Sequence, residues 1–144
     1  MVCTGNICRS PIGAVVLRAK LAAAGIDDVV VTSSGTGGWH EGDPMDPRAA
    51  AALQRHGYDG STHRAREFRR EWFSDRHLIL AMDTGHRAAL TRLARGRPDV
   101  PIELFAETDV PDPYYGPDAG FDAVLRQIEV AATHWTTRLA AAVC

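Results

Sequence analysis

A cysteine and an arginine near the start of the chain have a spacing suited to thiol chemistry on an anion. They belong to the run Cys3-Thr4-Gly5-Asn6-Ile7-Cys8-Arg9-Ser10-Pro11. In so short a loop, successive backbone N–H groups can point inward and form a nest for an anion of the size of phosphate. Arg9 adds a planar, permanently charged guanidinium that can bind two phosphate oxygens at once. Because a helix N-terminus and a nearby arginine favour the thiolate, the pattern predicts that Cys3 is a nucleophile.

The Ser-Pro pair predicts where the helix after this loop begins. Serine is a preferred N-cap and proline suits the first helical position, so we expect Ser10 to be the cap and Pro11 the first helical residue. The positive end of that helix would then face the bound anion. The Ser10 hydroxyl could also donate to the Cys3 sulfur and favour its charged form. Without this helix, Cys3 could equally be a small buried hydrophobe and Arg9 a surface charge.

The composition is that of an ordinary globular chain with one domain, spanning residues 1–144. Of the 144 residues, 45% are hydrophobic and 24% charged, and the formal net charge is -2, which gives no general attraction to nucleic acid or to an acidic membrane. No apolar run reaches membrane-spanning length.

The cysteines Cys3, Cys8 and Cys144 make no disulfide framework, and a working thiolate needs a reducing compartment, so we expect a soluble, cytoplasmic protein. His40, His77, His86 and His134 lack metal-ligand spacing and are expected to be structural or surface residues, so we expect no metal or other cofactor. The sequence leaves the oligomeric state open.

Helix and strand patterns alternate along the chain. Helices are predicted over 11–24, 47–55, 84–94 and 121–142, and strands over 29–32, 77–82 and 101–105. This alternation implies an α/β fold with a parallel sheet and helices on both faces. Ligands of such sheets bind at the carboxyl ends of the strands, where the loops that follow them converge.

The loop and a second motif far downstream resemble one enzyme family. The run CTGNICRSP and the later segment Asp112-Pro113-Tyr114-Tyr115-Gly116 closely resemble the low-molecular-weight protein tyrosine phosphatases. Shorter segments are similar in the same order, namely Ser33-Ser34-Gly35-Thr36 with Trp39, Arg48, His56-Gly57-Tyr58, His63-Arg64-Ala65 and Met82-Asp83. The resemblance implies a four-stranded parallel sheet in the order 2-1-3-4.

The start of the chain departs from the family pattern. Family members have an apolar first strand of several residues before the nucleophile, whereas only Met1 and Val2 precede Cys3 here. In the implied order that strand is central, so its absence would leave ladder groups unpaired on both neighbours. We expect a truncated first strand, with Met1 as an internal residue of a strand whose beginning is missing.

The resemblance also implies the proton donor and the walls of the site. Expulsion of a phenol from phosphorus needs an acid, and the match to the downstream motif favours Asp112, between two prolines, over Asp109 and Asp118, which we expect to be solvated turn residues. Tyr114 and Tyr115 would form walls of a deep slot, with Trp39 or His40 on the opposite rim. In such a slot phosphotyrosine would reach Cys3, whereas the phosphate of phosphoserine would stop short.

The remaining loop residues are predicted to bind the substrate phosphate or to support the loop. The first group comprises Thr4, Gly5, Asn6, Ile7, Cys8 and Ser10. By resemblance, Ser34 and His63 support the loop through hydrogen bonds, and Asn6 is a residue type that tolerates positive φ. Cys8 could also form a reversible disulfide with Cys3 under oxidant; a buried structural thiol is the alternative.

These features predict an enzyme that hydrolyses phosphotyrosine on proteins or peptides through a phosphocysteine intermediate. Cys3 would be the nucleophile, Arg9 the phosphate clamp and Asp112 the general acid and base. Two alternatives stay open. One is a thiol-dependent arsenate reductase, for which Cys144 is the late cysteine available. The other is a non-catalytic phosphotyrosine-binding module, if the truncated strand disables the loop.

Overall fold

The computed structural model describes residues 1–96 and 100–143. Its central feature is a four-stranded parallel sheet with the strand order β2-β1-β3-β4. A short 3-10 helix, Arg70–Ser74, precedes β3. The strands and helices are β1 (Val2–Cys3), α1 (Arg9–Ala23), β2 (Ser34–Gly35), α2 (Pro47–Arg55), β3 (Ile79–Ala81), α3 (Thr84–Leu93), β4 (Ile102–Leu104) and α4 (Ala119–Val143). The predicted α/β class and the strand order implied by the resemblance are both confirmed.

Alternate strand residues face two separate apolar clusters, because successive side chains of a strand point to opposite faces. Cys3 and Leu80 pack with the buried faces of α1, α2 and α4. Val2, Ile79 and Ala81 pack on the other side with Phe68, Phe73 and Leu90. The sheet therefore has helices on both faces, as predicted.

The first strand is two residues long, as the sequence led us to expect, yet it pairs with both neighbours. Val2 lies opposite Ser34 on one side and Ala81 on the other. The ladder to β2 continues past the strand, because Thr36 donates its N–H to the Cys3 carbonyl at 2.8 Å. This continuation fixes the backbone where the cysteine-containing loop begins.

The predicted start of the first helix and the predicted strand over 29–32 are both wrong. The helix α1 begins at Arg9 with Cys8 in the N-cap position, and no side chain caps it. Ser10 lies inside the first turn, and its hydroxyl contacts Cys3 Sγ and accepts from the Asn6 amide instead of capping the helix. The strand predicted over 29–32 is not a strand in the structure, because the partners of Val2 and Cys3 are Ser34 and Gly35.

The other helices follow the sequence pattern closely. Asp46 caps α2 by accepting a hydrogen bond from Arg48 N–H at 2.8 Å, and Asp83 caps α3 by accepting from His86 N–H at 2.8 Å. No helix in the described ranges is long and apolar enough to cross a membrane.

Candidate active site

A cleft of about 330 Å³ opens at the carboxyl end of β1, where parallel sheets place their ligands. It contains the predicted nucleophile, arginine and acid together with the aromatic residues expected at the rim. The residues that line it are Cys3, Thr4, Gly5, Ile7, Cys8, Arg9, Trp39, His40, Asp112, Tyr114 and Tyr115.

Cys3 is 2% exposed, and its sulfur contacts the hydroxyl of Ser10. Cys3 Sγ lies 3.0 Å from Ser10 Oγ, which is also 3.3 Å from the Ser34 carbonyl oxygen. A thiolate has no proton to give, so in that state Ser10 must donate its single proton to the sulfur. The predicted contact between Ser10 and Cys3 is therefore present.

Asn6 holds the loop from below and does not line the cleft. It has a positive φ of 59° and no exposed surface. Its amide nitrogen donates to Ser10 Oγ at 2.9 Å and to Ser33 Oγ at 3.0 Å, and its amide oxygen accepts from Arg66 N–H at 3.0 Å. The side chains of Asn6 and Ser10, both predicted to contact substrate, are thus buried supports of the loop.

His63 supports the loop as predicted, whereas Ser34 does so only through its backbone. The His63 Nε2 lies 2.6 Å from the Asn6 carbonyl oxygen, which can only accept, so Nε2 carries the proton. Burial lowers the pKa of His63, and the ring is neutral near pH 7. The serine side chain that binds the loop is Ser33, which the sequence reasoning missed by one position.

Arg9 is buried and held in place by groups from three segments. Its Nη1 donates to Asp83 Oδ2 at 2.9 Å and to the Val110 carbonyl at 3.1 Å. Its Nη2 donates to Thr4 Oγ1 at 3.4 Å. Burial would raise the pKa of Asp83, but the His86 N–H bond and the pairing with Arg9 outweigh it and lower that pKa. Asp83 therefore stays ionised beside the guanidinium.

Asp112 lies at the open side of the cleft, near Arg9. Its side chain is 41% exposed, and Oδ2 is 3.5 Å from Arg9 Nη2. The other oxygen accepts from the Tyr114 N–H at 3.0 Å, which fixes the turn. Arg48 donates to the Tyr114 carbonyl at 2.9 Å and so ties the same turn to α2.

The loop that contains Asp112 is anchored to the start of α3 by Asp109. Its two carboxylate oxygens accept from Thr84 N–H at 3.1 Å and from Thr84 Oγ1 at 3.0 Å. One step further, Val110 N–H donates to the Met82 carbonyl at 2.9 Å. Asp109 is exposed, as expected of a solvated residue, and its carboxylate also anchors the loop through these two hydrogen bonds.

Aromatic side chains form the rim. The rings of Tyr114 and Tyr115 are 4.9 Å apart and nearly perpendicular, at 81°. Tyr115 is 89% exposed and Trp39 is 76% exposed, so both present apolar surface to solvent beside the cleft. His40 covers the loop closely, since a Cβ on Gly5 would lie 3.0 Å from the His40 ring.

Cys8 differs from Cys3 in its surroundings. Burial, with a contribution from the Asp46 charge, raises the pKa of the Cys8 thiol, which therefore stays protonated. Both cysteines are free thiols. A disulfide between them under oxidant stays a prediction. In the part of the chain that the structure describes, no three His, Cys, Asp or Glu side chains are grouped so as to hold a metal ion.

The fold and the cleft together define an α/β protein in which one loop presents a cysteine and an arginine at the carboxyl edge of a parallel sheet. A family model described as low molecular weight phosphotyrosine protein phosphatase matches residues 1–143. The chain therefore belongs to the low-molecular-weight protein tyrosine phosphatase family, whose members are hydrolases.

Individual relatives agree with this assignment. The Streptomyces coelicolor protein named low molecular weight protein-tyrosine-phosphatase is 47% identical over 143 residues, which cover 92% of this chain and 87% of the relative. The crystal structure of Primo-1 superposes with a TM-score of 0.87 at 38% identity, over 92% of this chain and 91% of that chain. Vibrio vulnificus Wzb, solved in complex with benzylphosphonate, gives a TM-score of 0.83 at 31% identity, over 95% and 94% of the two chains.

Proposed function

We propose that this protein hydrolyses phosphotyrosine in proteins or peptides through a phosphocysteine intermediate. The observation that carries the proposal is that Cys3, Arg9 and Asp112 line one cleft. Because thiolate chemistry requires a reducing environment, we propose that the protein acts in the cytoplasm.

In the first step the Cys3 thiolate attacks phosphorus as the bond to the phenol oxygen breaks. Arg9 and the N–H groups of the loop stabilise the charge on the equatorial oxygens. Asp112 gives its proton to the departing phenol. The position of Asp112 supports this role, because its carboxyl group lies at the open side of the cleft, with Oδ2 3.5 Å from Arg9 Nη2.

In the second step water attacks the phosphorus of the phosphocysteine. The Asp112 carboxylate takes a proton from that water, and the sulfur–phosphorus bond breaks. Inorganic phosphate leaves, and Cys3 returns to the thiolate. The Ser10 hydroxyl, 3.0 Å from the sulfur, stabilises the thiolate both before attack and as the leaving group.

The aromatic rim supports phosphotyrosine as the substrate. Tyr114, Tyr115 and Trp39 line the cleft and offer surface for stacking against an aryl ring. The related Wzb was solved with benzylphosphonate, an aryl compound with a phosphonate group. A shorter alkyl phosphate would make no such contact and would leave its phosphate farther from the sulfur.

Hydrolysis of p-nitrophenyl phosphate and of a phosphotyrosine peptide tests the proposal. We expect Cys3→Ser to be inactive and Asp112→Ala to lose about a hundredfold or more in kcat. The matched control is Asp28→Ala, because Asp28 is exposed and lies outside the cleft. A folded wild type that hydrolyses neither substrate would contradict the proposal.

The same preparation separates the two alternatives. Arsenate-dependent consumption of thiol would indicate the reductase, whose second cysteine, Cys144, lies outside the described residues. Binding of benzylphosphonate without turnover of either phosphate ester would indicate a non-catalytic phosphotyrosine-binding module.

A further inference from the structure

Arg9, Asp83, His86 and Thr4 form a closed ring of hydrogen bonds, and His86 is buried. Arg9 donates to Asp83 Oδ2 at 2.9 Å and to Thr4 Oγ1 at 3.4 Å. The other Asp83 oxygen accepts from the backbone N–H of His86 at 2.8 Å. His86 Nε2 lies 2.8 Å from Thr4 Oγ1 and closes the ring. His86 therefore contacts both of the side chains that hold Arg9.

His86 does not behave as a packing residue. It is 5% exposed, and its Nδ1 is buried with no hydrogen-bond partner among the described residues, although it lies 3.2 Å from Asp83 Oδ1. An unpartnered buried polar atom costs free energy that an apolar side chain would avoid. The imidazole contributes to the site through its other nitrogen, which contacts the hydroxyl of Thr4 on the wall of the cleft.

We propose that His86 is a positioning residue of the active site, which as a neutral imidazole fixes the Thr4 hydroxyl so that Thr4 and Asp83 together orient Arg9 toward the substrate phosphate. The inference rests on the proposed function, since it takes Arg9 as the phosphate-binding group. His86 itself touches neither substrate nor the reacting atoms; it acts through Thr4 and through its backbone bond to Asp83.

The charged groups that face His86 come from three parts of the fold. Arg9 lies at the start of α1, Asp83 precedes α3, and Asp112 and Asp109 belong to the loop after β4. Burial and the charge of Arg9 lower the pKa of His86 below its usual 6.5, and the three carboxylates only partly oppose this. The imidazole is therefore uncharged at neutral pH.

Protonation would change the pattern of bonds in the ring. An imidazolium has N–H donors at both nitrogens, so Nε2 could no longer accept a proton from Thr4. In the neutral ring the proton lies on Nδ1, 3.2 Å from Asp83 Oδ1. Protonation adds a proton at Nε2 and so places a second positive charge near Arg9. The ring should therefore hold Arg9 firmly at neutral pH and loosen when His86 is protonated in acid.

Two substitutions with different expected outcomes test the assignment. In His86→Gln the side-chain amide takes the place of Nε2 and can still bond to Thr4 without titrating, whereas His86→Leu cannot bond at all. We expect His86→Leu to lose about tenfold in kcat/KM on p-nitrophenyl phosphate, mostly in kcat, and His86→Gln to keep most of the activity. The control is His134→Gln, because His134 is exposed on α4 outside the cleft.

The pH profile gives a readout that a purely structural role would not move. Dividing kcat/KM of the wild type by that of His86→Gln removes the pH effects that the two proteins share. We expect this ratio to fall in acid, because only the wild type loses its ring of bonds, and the fall should lie below the usual imidazole pKa since the pKa of His86 is lowered. A ratio independent of pH, or equal losses in the Gln and Leu variants, would overturn the inference.

A double variant and a binding measurement complete the test. If His86 acts through Thr4, adding His86→Leu to Thr4→Val should cause little further loss. Titration with inorganic phosphate separates this inference from the proposed function, because it needs no turnover. Should the wild type prove inactive, the proposed function fails, yet His86→Leu should still bind phosphate about tenfold more weakly than wild type or His86→Gln. Equal phosphate affinity in all three proteins would refute the positioning role.

Discussion

At the active-site sulfur, the hydroxyl of Ser10 has one proton and two acceptors within reach. Cys3 Sγ lies 3.0 Å away and the Ser34 carbonyl oxygen 3.3 Å away. A neutral thiol can donate to Ser10, which leaves the serine proton for Ser34. A thiolate cannot donate, so the serine proton must turn to the sulfur. Ionisation of Cys3 is thus linked to the orientation of one hydroxyl group.

We expect Ser10→Ala to slow alkylation of Cys3 by iodoacetamide about tenfold at neutral pH, because a hydrogen bond to a charged acceptor is among the stronger ones. The rate is measured by mass spectrometry of the labelled Cys3 peptide. Ser61→Ala, at an exposed position outside the cleft, is the control. An unchanged rate in a folded Ser10→Ala protein would show that the hydroxyl does not stabilise the thiolate.

At the scale of elements, β2 lies very close to the cysteine-containing loop at Gly35. A Cβ on Gly35 would lie 2.6 Å from the Thr4 carbonyl oxygen and 3.2 Å from the Asn6 nitrogen. Both neighbours are backbone atoms, which cannot turn aside as a flexible side chain would. Glycine at this position therefore lets the strand lie directly against the loop.

We expect Gly35→Ala to lower the free energy of unfolding by about 1–3 kcal/mol and to lower kcat/KM, because the added methyl group pushes β2 away from the loop. Urea denaturation and hydrolysis of p-nitrophenyl phosphate measure the two effects. The control is Gly120→Ala. Gly120 lies in α4, where alanine is the better helix former, and its added Cβ would lie 3.9 Å from Pro113, an ordinary contact distance. Equal stability of Gly35→Ala and wild type would contradict this account.

The elements that sequence predicted best are those with local determinants. The predicted helix 47–55 coincides with α2, whose cap Asp46 and first residue Pro47 adjoin its start in sequence. The predicted strand 29–32 failed because its β-branched residues suit a strand, whereas the true β2, Ser34–Gly35, is set by pairing with β1. Such pairing depends on tertiary structure, which a local pattern does not contain.

The same distinction applies to the site. Cys3 and Arg9 could be predicted because the loop contains both, and Asp112 because its motif resembles a known one. The groups that hold Arg9 could not be predicted in this way. Asp83 lies 74 positions from Arg9 in sequence, and His86 lies 82 positions from Thr4. The one local signal was the position of Asp83 directly after a buried strand.

For the molecule as a whole, the buried histidines His63 and His86 should make the free energy of unfolding depend on pH. Burial lowers the pKa of both His63 and His86 below the usual 6.5. The unfolded chain therefore binds more protons than the folded one as the pH falls through this range, and acid favours unfolding. The ionised Asp83, with its lowered pKa, adds a further loss only below its usual value of 3.8.

We expect the free energy of unfolding to decrease as the pH is lowered from about 7.5 to about 5. Urea denaturation at a series of pH values measures it. The double variant His63→Gln/His86→Gln should show a flatter dependence over this interval. A wild type whose stability is constant there, or a double variant as steep as wild type, would mean that these histidines are not the cause.

The hydrogen bonds of Asn6 also bear on the order in which parts of the protein fold. This residue joins Ser33, His63 and Arg66 across sequence separations of 27, 57 and 60. Contacts between such remote segments form late, because the entropy of closing long loops must be overcome first. We expect a chain that has acquired its helices but not these contacts to be inactive, because the loop that presents Cys3 would lack its support. Turnover therefore reports completion of folding rather than the local state of the nine-residue run that carries the sulfur.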